Sequence, residues 1–252
     1  MIRGEFVIAI SKFIADDIQS RYQIEDDTLK IIPRGADISL FNPEDASQQA
    51  ANRLIKEWGV PDDTPVIMLP ARLTRWKGHE VLIKALSLIK DIRFFCVLVG
   101  DHDTKRNYKS ELENRIKFQG LTNRVKITGH CKDMVSAYKI SDIVISASLD
   151  PEPFGRITVE AQAMGCVVVA ADHGGAQETI QHNRTGILVE PRNSEALADG
   201  IKKALEMKTE DRTSMGIAAR EFVSSNFSRE TMCYRTMSLY CQLLDLNPQL
   251  NS

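Results

Sequence analysis

Several features that would mark a specialised class are scarce or missing from this chain. Cysteine is limited to Cys96, Cys131, Cys166, Cys233 and Cys241, an odd number with no C-x-x-C pair. That excludes a disulfide framework and predicts free, mostly structural thiols in a reducing compartment. The five histidines show no H-x-x-x-H spacing, so no metal site is legible and no metal is expected. Neither sign of charge dominates: 32 Lys and Arg stand against 34 Asp and Glu, a net charge of -2. Bulk electrostatic capture of nucleic acid is therefore not expected. No run approaches the roughly 18 apolar residues that span a bilayer. The opening M-I-R-G-E-F-V-I-A-I carries Glu5 and lacks a small-residue cleavage site, unlike a signal peptide. A cytoplasmic location is expected, with membrane involvement limited to peripheral contact at the inner face. There is no internal repeat and no low-complexity segment.

What is present is ordinary for an α/β protein: 252 residues, 43% apolar and 26% charged, enough to bury a sizeable core unaided. Phe6 to Ile10 reads as a strand. Ser11 reads as the N-cap of a helix through about Arg21, with Asp16 and Asp17 near its start. A second strand-like stretch, Leu29 to Ile32, stops at Pro33. Pro43 to Gln49 is polar and reads as a linker into an amphipathic helix up to Trp58, ended by Gly59 and Pro61.

From Thr64 the pattern becomes regular. Apolar runs at Val66–Leu69, Phe94–Val99, Val125–Thr128, Ile143–Ser146, Val167–Ala170 and Ile187–Val189 alternate with helix-length segments. Those helices are predicted at His79–Lys90, Tyr108–Gln119, Met134–Ile140, Arg156–Met164, Ala176–His182 and Glu195–Leu205. Unbroken apolar strands separated by helices predict a doubly wound, Rossmann-like parallel sheet covered on both faces. Two further helices are predicted at Arg212–Val223 and Arg229–Leu244, followed by a polar tail.

Ligands of such sheets bind where strands end and helices begin, so those loops are the places to look. After the first regular strand, Arg72 and Lys77 flank a predicted helix start with Gly78 between them and the helix. Two permanent cations beside a helix N-terminus suit a diphosphate, although loop cations are equally often just solvated. Gly100-Asp101-His102-Asp103 reads as a structural turn more readily than as a catalytic site, and Gly129 is a weak close-approach position. The most informative loop is Asp150-Pro151-Glu152-Pro153-Phe154-Gly155-Arg156-Ile157-Thr158-Val159-Glu160. Its two prolines delay the helix to about Gly155, so the N–H groups of Gly155, Arg156 and Ile157 are free to cradle an anion. Glu152 and Glu160 offer carboxylates suited to vicinal hydroxyls; the bland alternatives are a solvated loop acid and a first-turn acid facing the helix dipole.

The string P-E-P-F-G-R-I-T-V-E-A-Q-A-M-G resembles the E-x7-E signature of retaining glycosyltransferases of the GT-B class, family four. A-R-L-T-R-W-K-G resembles that family's G-R-L-x-x-x-K-G phosphate loop, with Ala71 in place of glycine. G-G-A-Q-E-T-I-Q-H-N-R-T-G-I-L-V-E-P resembles a third motif, and Ile32–Asp37 with Phe41-x-Pro43 is similar to the inter-domain connector. The resemblance implies a nucleotide-sugar donor, no metal cofactor, and transfer to an unknown glycan or lipid acceptor. It assigns Arg72, Lys77, Gly155, Arg156 and Ile157 to the diphosphate and Glu160 to the ribose. It assigns Glu152, Phe154 and Gly155 to the transferred sugar, with Glu152 as the catalytic candidate, and Gly129, His130 and Cys131 to the base. A GT-B enzyme has two Rossmann-like domains. The expected division is therefore a remnant of the N-terminal domain plus connector in 1–45, a donor domain in 46–228, and a crossover helix with tail in 229–252. On that reading a separately encoded N-terminal domain or self-association completes the molecule, or the chain is a non-catalytic remnant. A nucleotide-sugar epimerase of the same architecture fits less well, because its motif around the paired glutamates differs.

Overall fold

A computed structural model describes residues 4–22, 24, 25, 27–101 and 107–244. His102 and Asp103 of the predicted turn and the polar tail from 245 lie outside the described residues. Six strands form one parallel sheet: β3 (Val66–Pro70), β4 (Phe95–Val99), β5 (Val125–Gly129), β6 (Ile143–Ser146), β7 (Val167–Ala171) and β8 (Ile187–Val189), in the order β5-β4-β3-β6-β7-β8. Every residue of β3, β4 and β7 is buried, as the unbroken apolar runs require of strands covered on both sides.

Alternation along each strand divides the core in two. Ile67, Leu69, Leu98, Ile145 and Val169 face α3 (His79–Leu88), α4 (Tyr108–Phe118) and α8 (Ser194–Leu205). Val66, Met68, Val97, Val144 and Val168 face α2 (Gln48–Trp58), α5 (Met134–Lys139), α6 (Arg156–Ala163) and α9 (Thr209–Asn226). Each fully buried Leu or Ile contributes about 1.5–3 kcal/mol.

Side-chain caps set several helix starts. Ser47 accepts from the Ala50 N–H, Asp133 from Ser136, and Asn193 from Glu195 and Ala196. The Ser47 cap starts α2 at Gln48, within the segment read as linker, because serine there satisfies an orphan N–H. The helix predicted at Ala176–His182 is only α7 (Ala176–Thr179). Ile180 turns extended to bury its side chain, and the bridge between His182 and Gly186 opens the turn into β8.

The first forty residues stand apart from this sheet. β1 (Val7–Ala9) and β2 (Leu29–Ile31) form their own parallel pair around α1 (Lys12–Tyr22). Asp16 and Asp17 lie beyond the first turn of α1, which holds no acidic residue, rather than near its start; they pair with Lys12 and Arg21 on the exposed surface. Two contacts tie α1 to the loops of the larger sheet. Ser11 Oγ donates to the Pro153 carbonyl at 2.5 Å, and the Glu178 carboxylate accepts from the N–H groups of Lys12 and Phe13 at 2.7 and 2.8 Å. The connector reaches α10 (Arg229–Leu243): the Ala36 N–H donates to Phe227 O, and the Arg229 N–H to Ala36 O, each at 2.8 Å.

Candidate functional site

Strand order reverses between β3 and β6, the topological switch point at which open parallel sheets bind ligands. The loops after β3, β4, β5 and β6 surround a cleft of about 490 Å³ there, with Gly100 and Asp101 of the predicted turn on its wall. Arg72, Lys77, His130, Cys131, Arg156, Ile157 and Glu160 line it, so the structure brings together most of the residues singled out from sequence. Trp76, Met134 and Tyr138 also line it, and only Trp76 lay within a recognised motif. A hollow of about 520 Å³ lies at the opposite edge of the sheet, between Val60–Val66 and Lys139–Asp142. Two of its charges are already engaged, Lys139 by the Ala46 carbonyl and Asp142 by Arg212 and the Val66 N–H.

Arg72 is exposed, and its side chain has no hydrogen-bond or ion-pair partner among the described residues. Lys77 is held: it stacks on Trp76 with its Nζ 4.0 Å from the ring centroid, and donates to Glu152 Oε1 at 2.7 Å. Both members of this ion pair are largely withdrawn from solvent, 12% and 16% exposed at the side chain. The bland reading of Glu152 as a solvated loop acid is thereby overturned. Gly78 has φ 73°, and a Cβ there would lie 1.8 Å from the Ala147 carbonyl oxygen. The phosphate-loop glycine thus lets the β3 and β6 loops touch.

Helix α6 begins after Gly155, whose φ of 85° suits glycine, and no side chain caps that end. Glu160 is the fifth residue of α6, not a first-turn acid, so the dipole reading is corrected. It accepts from the Tyr138 hydroxyl at 2.9 Å and forms an ion pair with Arg156, whose Nε lies 3.1 Å away. Burial raises the Glu160 carboxyl above its ordinary range, while the Tyr138 hydrogen bond and the Arg156 charge pull it back. Burial and the adjacent Glu160 raise the Tyr138 hydroxyl well above its usual value. A largely buried carboxylate with one donor and one cation already in place is set up to accept hydroxyl hydrogens at a defined position.

Four sequence candidates lie off the cleft wall. Gly129 stands behind His130 at the end of β5, with open space at its Cβ position. Phe154 points its ring inward, 4% exposed and edge-on to Phe227, so only its backbone is available to a ligand. Glu152 and Gly155 line a much smaller enclosed space with Ser146, Ser148, Ala171, His173 and Ala176. Ser148 and His173 were missed because their contact joins the loops after β6 and β7, which no local pattern shows.

His79, the first residue of α3, is fully buried beneath the phosphate loop, and neither ring nitrogen makes a hydrogen bond of ordinary geometry. Burial lowers its pKa to about 4, with the Thr74 and Ala71 backbone drawing it partly back up and Lys77 adding to the depression. A depressed histidine favours the fold while neutral, so its contribution is complete above the unfolded value of about 6.5 and is lost as pH falls towards 4. The loss expected across that window is about 3 kcal/mol. Urea unfolding at pH 7 and pH 4.5, with His79→Leu as reference, measures it; equal pH sensitivity in both proteins would contradict this assignment.

The sequence family model "Glycosyl transferases group 1" matches residues 51–222. Among solved structures, a glycosyltransferase from Rickettsia africae is 37% identical with a TM-score of 0.93, over 96% of this chain and 64% of that one. The Anabaena protein HepE, in complex with UDP and glucose, is 31% identical with a TM-score of 0.86, over 95% and 64%. D-inositol 3-phosphate glycosyltransferase of Corynebacterium glutamicum is 32% identical over 89% of this chain and 54% of that protein. The chain spans about half the length of the curated relatives it matches. Sheet order, cleft and family model agree, and the chain belongs to the group 1 glycosyltransferases, with a GT-B type α/β fold.

Proposed function

We propose that this chain binds the nucleotide-sugar donor of a glycosyl transfer that retains anomeric configuration, in the assembly of a glycoconjugate such as lipopolysaccharide. The observation that carries the reading is the convergence of Arg72, Lys77 and the uncapped N-terminus of α6 around one cleft at the switch point. The diphosphate lies against these groups, with the free N–H groups of Gly155, Arg156 and Ile157 completing the cradle. Fixed positive charge then stabilises the departing nucleoside diphosphate, without a metal ion being needed. Glu160 accepts the ribose hydroxyls in place of the Tyr138 and Arg156 donors or beside them. His130 and Cys131, with Gly129, pass the base. Glu152, with the backbone of Phe154 and Gly155, meets the transferred sugar. UDP is the first nucleotide to try, since HepE, at 31% identity, was solved with UDP-glucose; GDP is the second, since a GDP-mannose-dependent mannosyltransferase is 30% identical.

The acceptor, a glycan or lipid, needs a second wall to the cleft, because a donor sugar facing water is not positioned for transfer. The exposed apolar stripe of α10, which carries Tyr234, Met237 and Tyr240, supports one half of a two-part enzyme over a remnant that binds without transferring.

Calorimetry with UDP, GDP and ADP tests the donor site. Arg72→Ala and Lys77→Ala are each expected to weaken nucleoside-diphosphate binding by about 1.5–3 kcal/mol, the range for a hydrogen bond to a charged group. Unchanged affinity in both variants would remove the diphosphate assignment.

A further inference from the structure

We propose that Ser148 and His173 are positioning residues that hold the Glu152 carboxylate so that one of its oxygens stays free for the donor sugar; this rests on the functional reading above. Glu152 lies between Pro151 and Pro153, neither of which has an N–H to anchor the loop. Its backbone is held from outside, by the Gly175 N–H donating to the Glu152 carbonyl at 2.8 Å. Its side chain is held by two donors on the same atom: Ser148 Oγ and Lys77 Nζ both donate to Oε1. Oε2 has no partner among the described residues.

Ser148 is itself fixed. It is 3% exposed, and its carbonyl lies 3.0 Å from His173 Nε2. A carbonyl only accepts, so Nε2 is the donor and Nδ1 is the ring nitrogen left over. That Nδ1 is buried without a partner. A polar chain running His173 to Ser148 to Glu152, across the loops after β7 and β6, costs stability at an otherwise apolar sheet edge. Its return is geometric. Lys77 has three hydrogens and is needed at the diphosphate, so a lysine alone would let the carboxylate swing as the phosphate arrives. The neutral serine hydroxyl holds Oε1 without cancelling the charge that Oε2 offers to a sugar hydroxyl.

The readout is the ratio of UDP to UDP-glucose affinity measured by calorimetry on the 252-residue chain, because only UDP-glucose carries the sugar that Glu152 meets. In Ser148→Ala and His173→Leu, binding of UDP-glucose is expected to fall about tenfold while UDP stays within about twofold. His173→Gln, which restores an N–H near Nε2, is expected to recover the wild-type ratio. Unfolding midpoints of all three report whether each variant is folded, and Ser148→Ala adds no volume that could prevent it. An unchanged ratio in the folded variants would overturn the proposal, as would an equal loss of both ligands. Wild-type protein that binds neither ligand would instead fail the donor-binding reading, and this inference with it.

Discussion

Gly78→Ala is expected to lower stability by about 2–5 kcal/mol and to abolish nucleotide binding. Two costs add. A non-glycine residue at φ 73° is strained by about 1–2 kcal/mol. The new Cβ, 1.8 Å from the Ala147 carbonyl oxygen and 2.7 Å from its carbon, also cannot be accommodated by a side chain moving aside. Backbone must shift, at about 1–3 kcal/mol more. The backbone that shifts is the start of the loop carrying Ser148 and Glu152, while Gly78 itself follows Lys77. Both halves of the ion pair are therefore displaced. Gly59 supplies the control, since its φ is 63° but nothing lies within 4 Å of a Cβ there. Gly59→Ala is expected to cost only the strain, about 1 kcal/mol, and to leave binding intact. Urea unfolding of both variants beside UDP titration separates the two costs. Equal losses at the two sites would show that the contact with Ala147 is unimportant.

The contrast between these glycines also marks what could be read from the sequence. Strand positions were legible because a strand buried on both faces leaves an unbroken apolar run, and all six fall within a residue or so of their predicted ends. The ligand-binding end of the sheet followed from reading the loops after those strands, which is why Arg72, Lys77, Arg156 and Glu160 meet in one cleft. Partners that depend on packing between loops were not legible. Tyr138 reaches Glu160 from the neighbouring helix α5, and nothing in the residues around Tyr138 distinguishes it from a core aromatic. Ser148 gains meaning only from the carboxylate of Glu152 on one side and the ring of His173 on the other. Glu178 lies in a recognised motif, yet its role as the anion at the start of α1 joins residues 165 positions apart, a distance that no local pattern encodes.

The chain is expected to self-associate at micromolar concentration through α10 and the β1–β2 unit. In α10 only Leu239 is buried, whereas Tyr234, Met237, Tyr240 and the following Leu244 are 54%, 56%, 52% and 65% exposed. Their spacing of three, three and four residues lays them along one face. Ile8 and Ile31 of the two-stranded sheet are exposed as well, and the Ala36–Ser228 bridge ties that unit's connector to the base of α10. Clustered apolar side chains of this kind drive association, whereas single ones do not. Phe118, at the end of α4, is 88% exposed but far in sequence from this stripe, and serves as the lone counterpart. Met237→Glu combined with Tyr240→Glu is expected to raise the dissociation constant at least about a hundredfold, as loss of two anchoring side chains does, without lowering the unfolding midpoint. Phe118→Glu is expected to change neither. Sedimentation velocity across the micromolar range measures all three proteins. A wild-type chain that stays monomeric throughout, with residues 4–40 and 229–244 well protected from hydrogen exchange, would show that these faces are satisfied within a single copy.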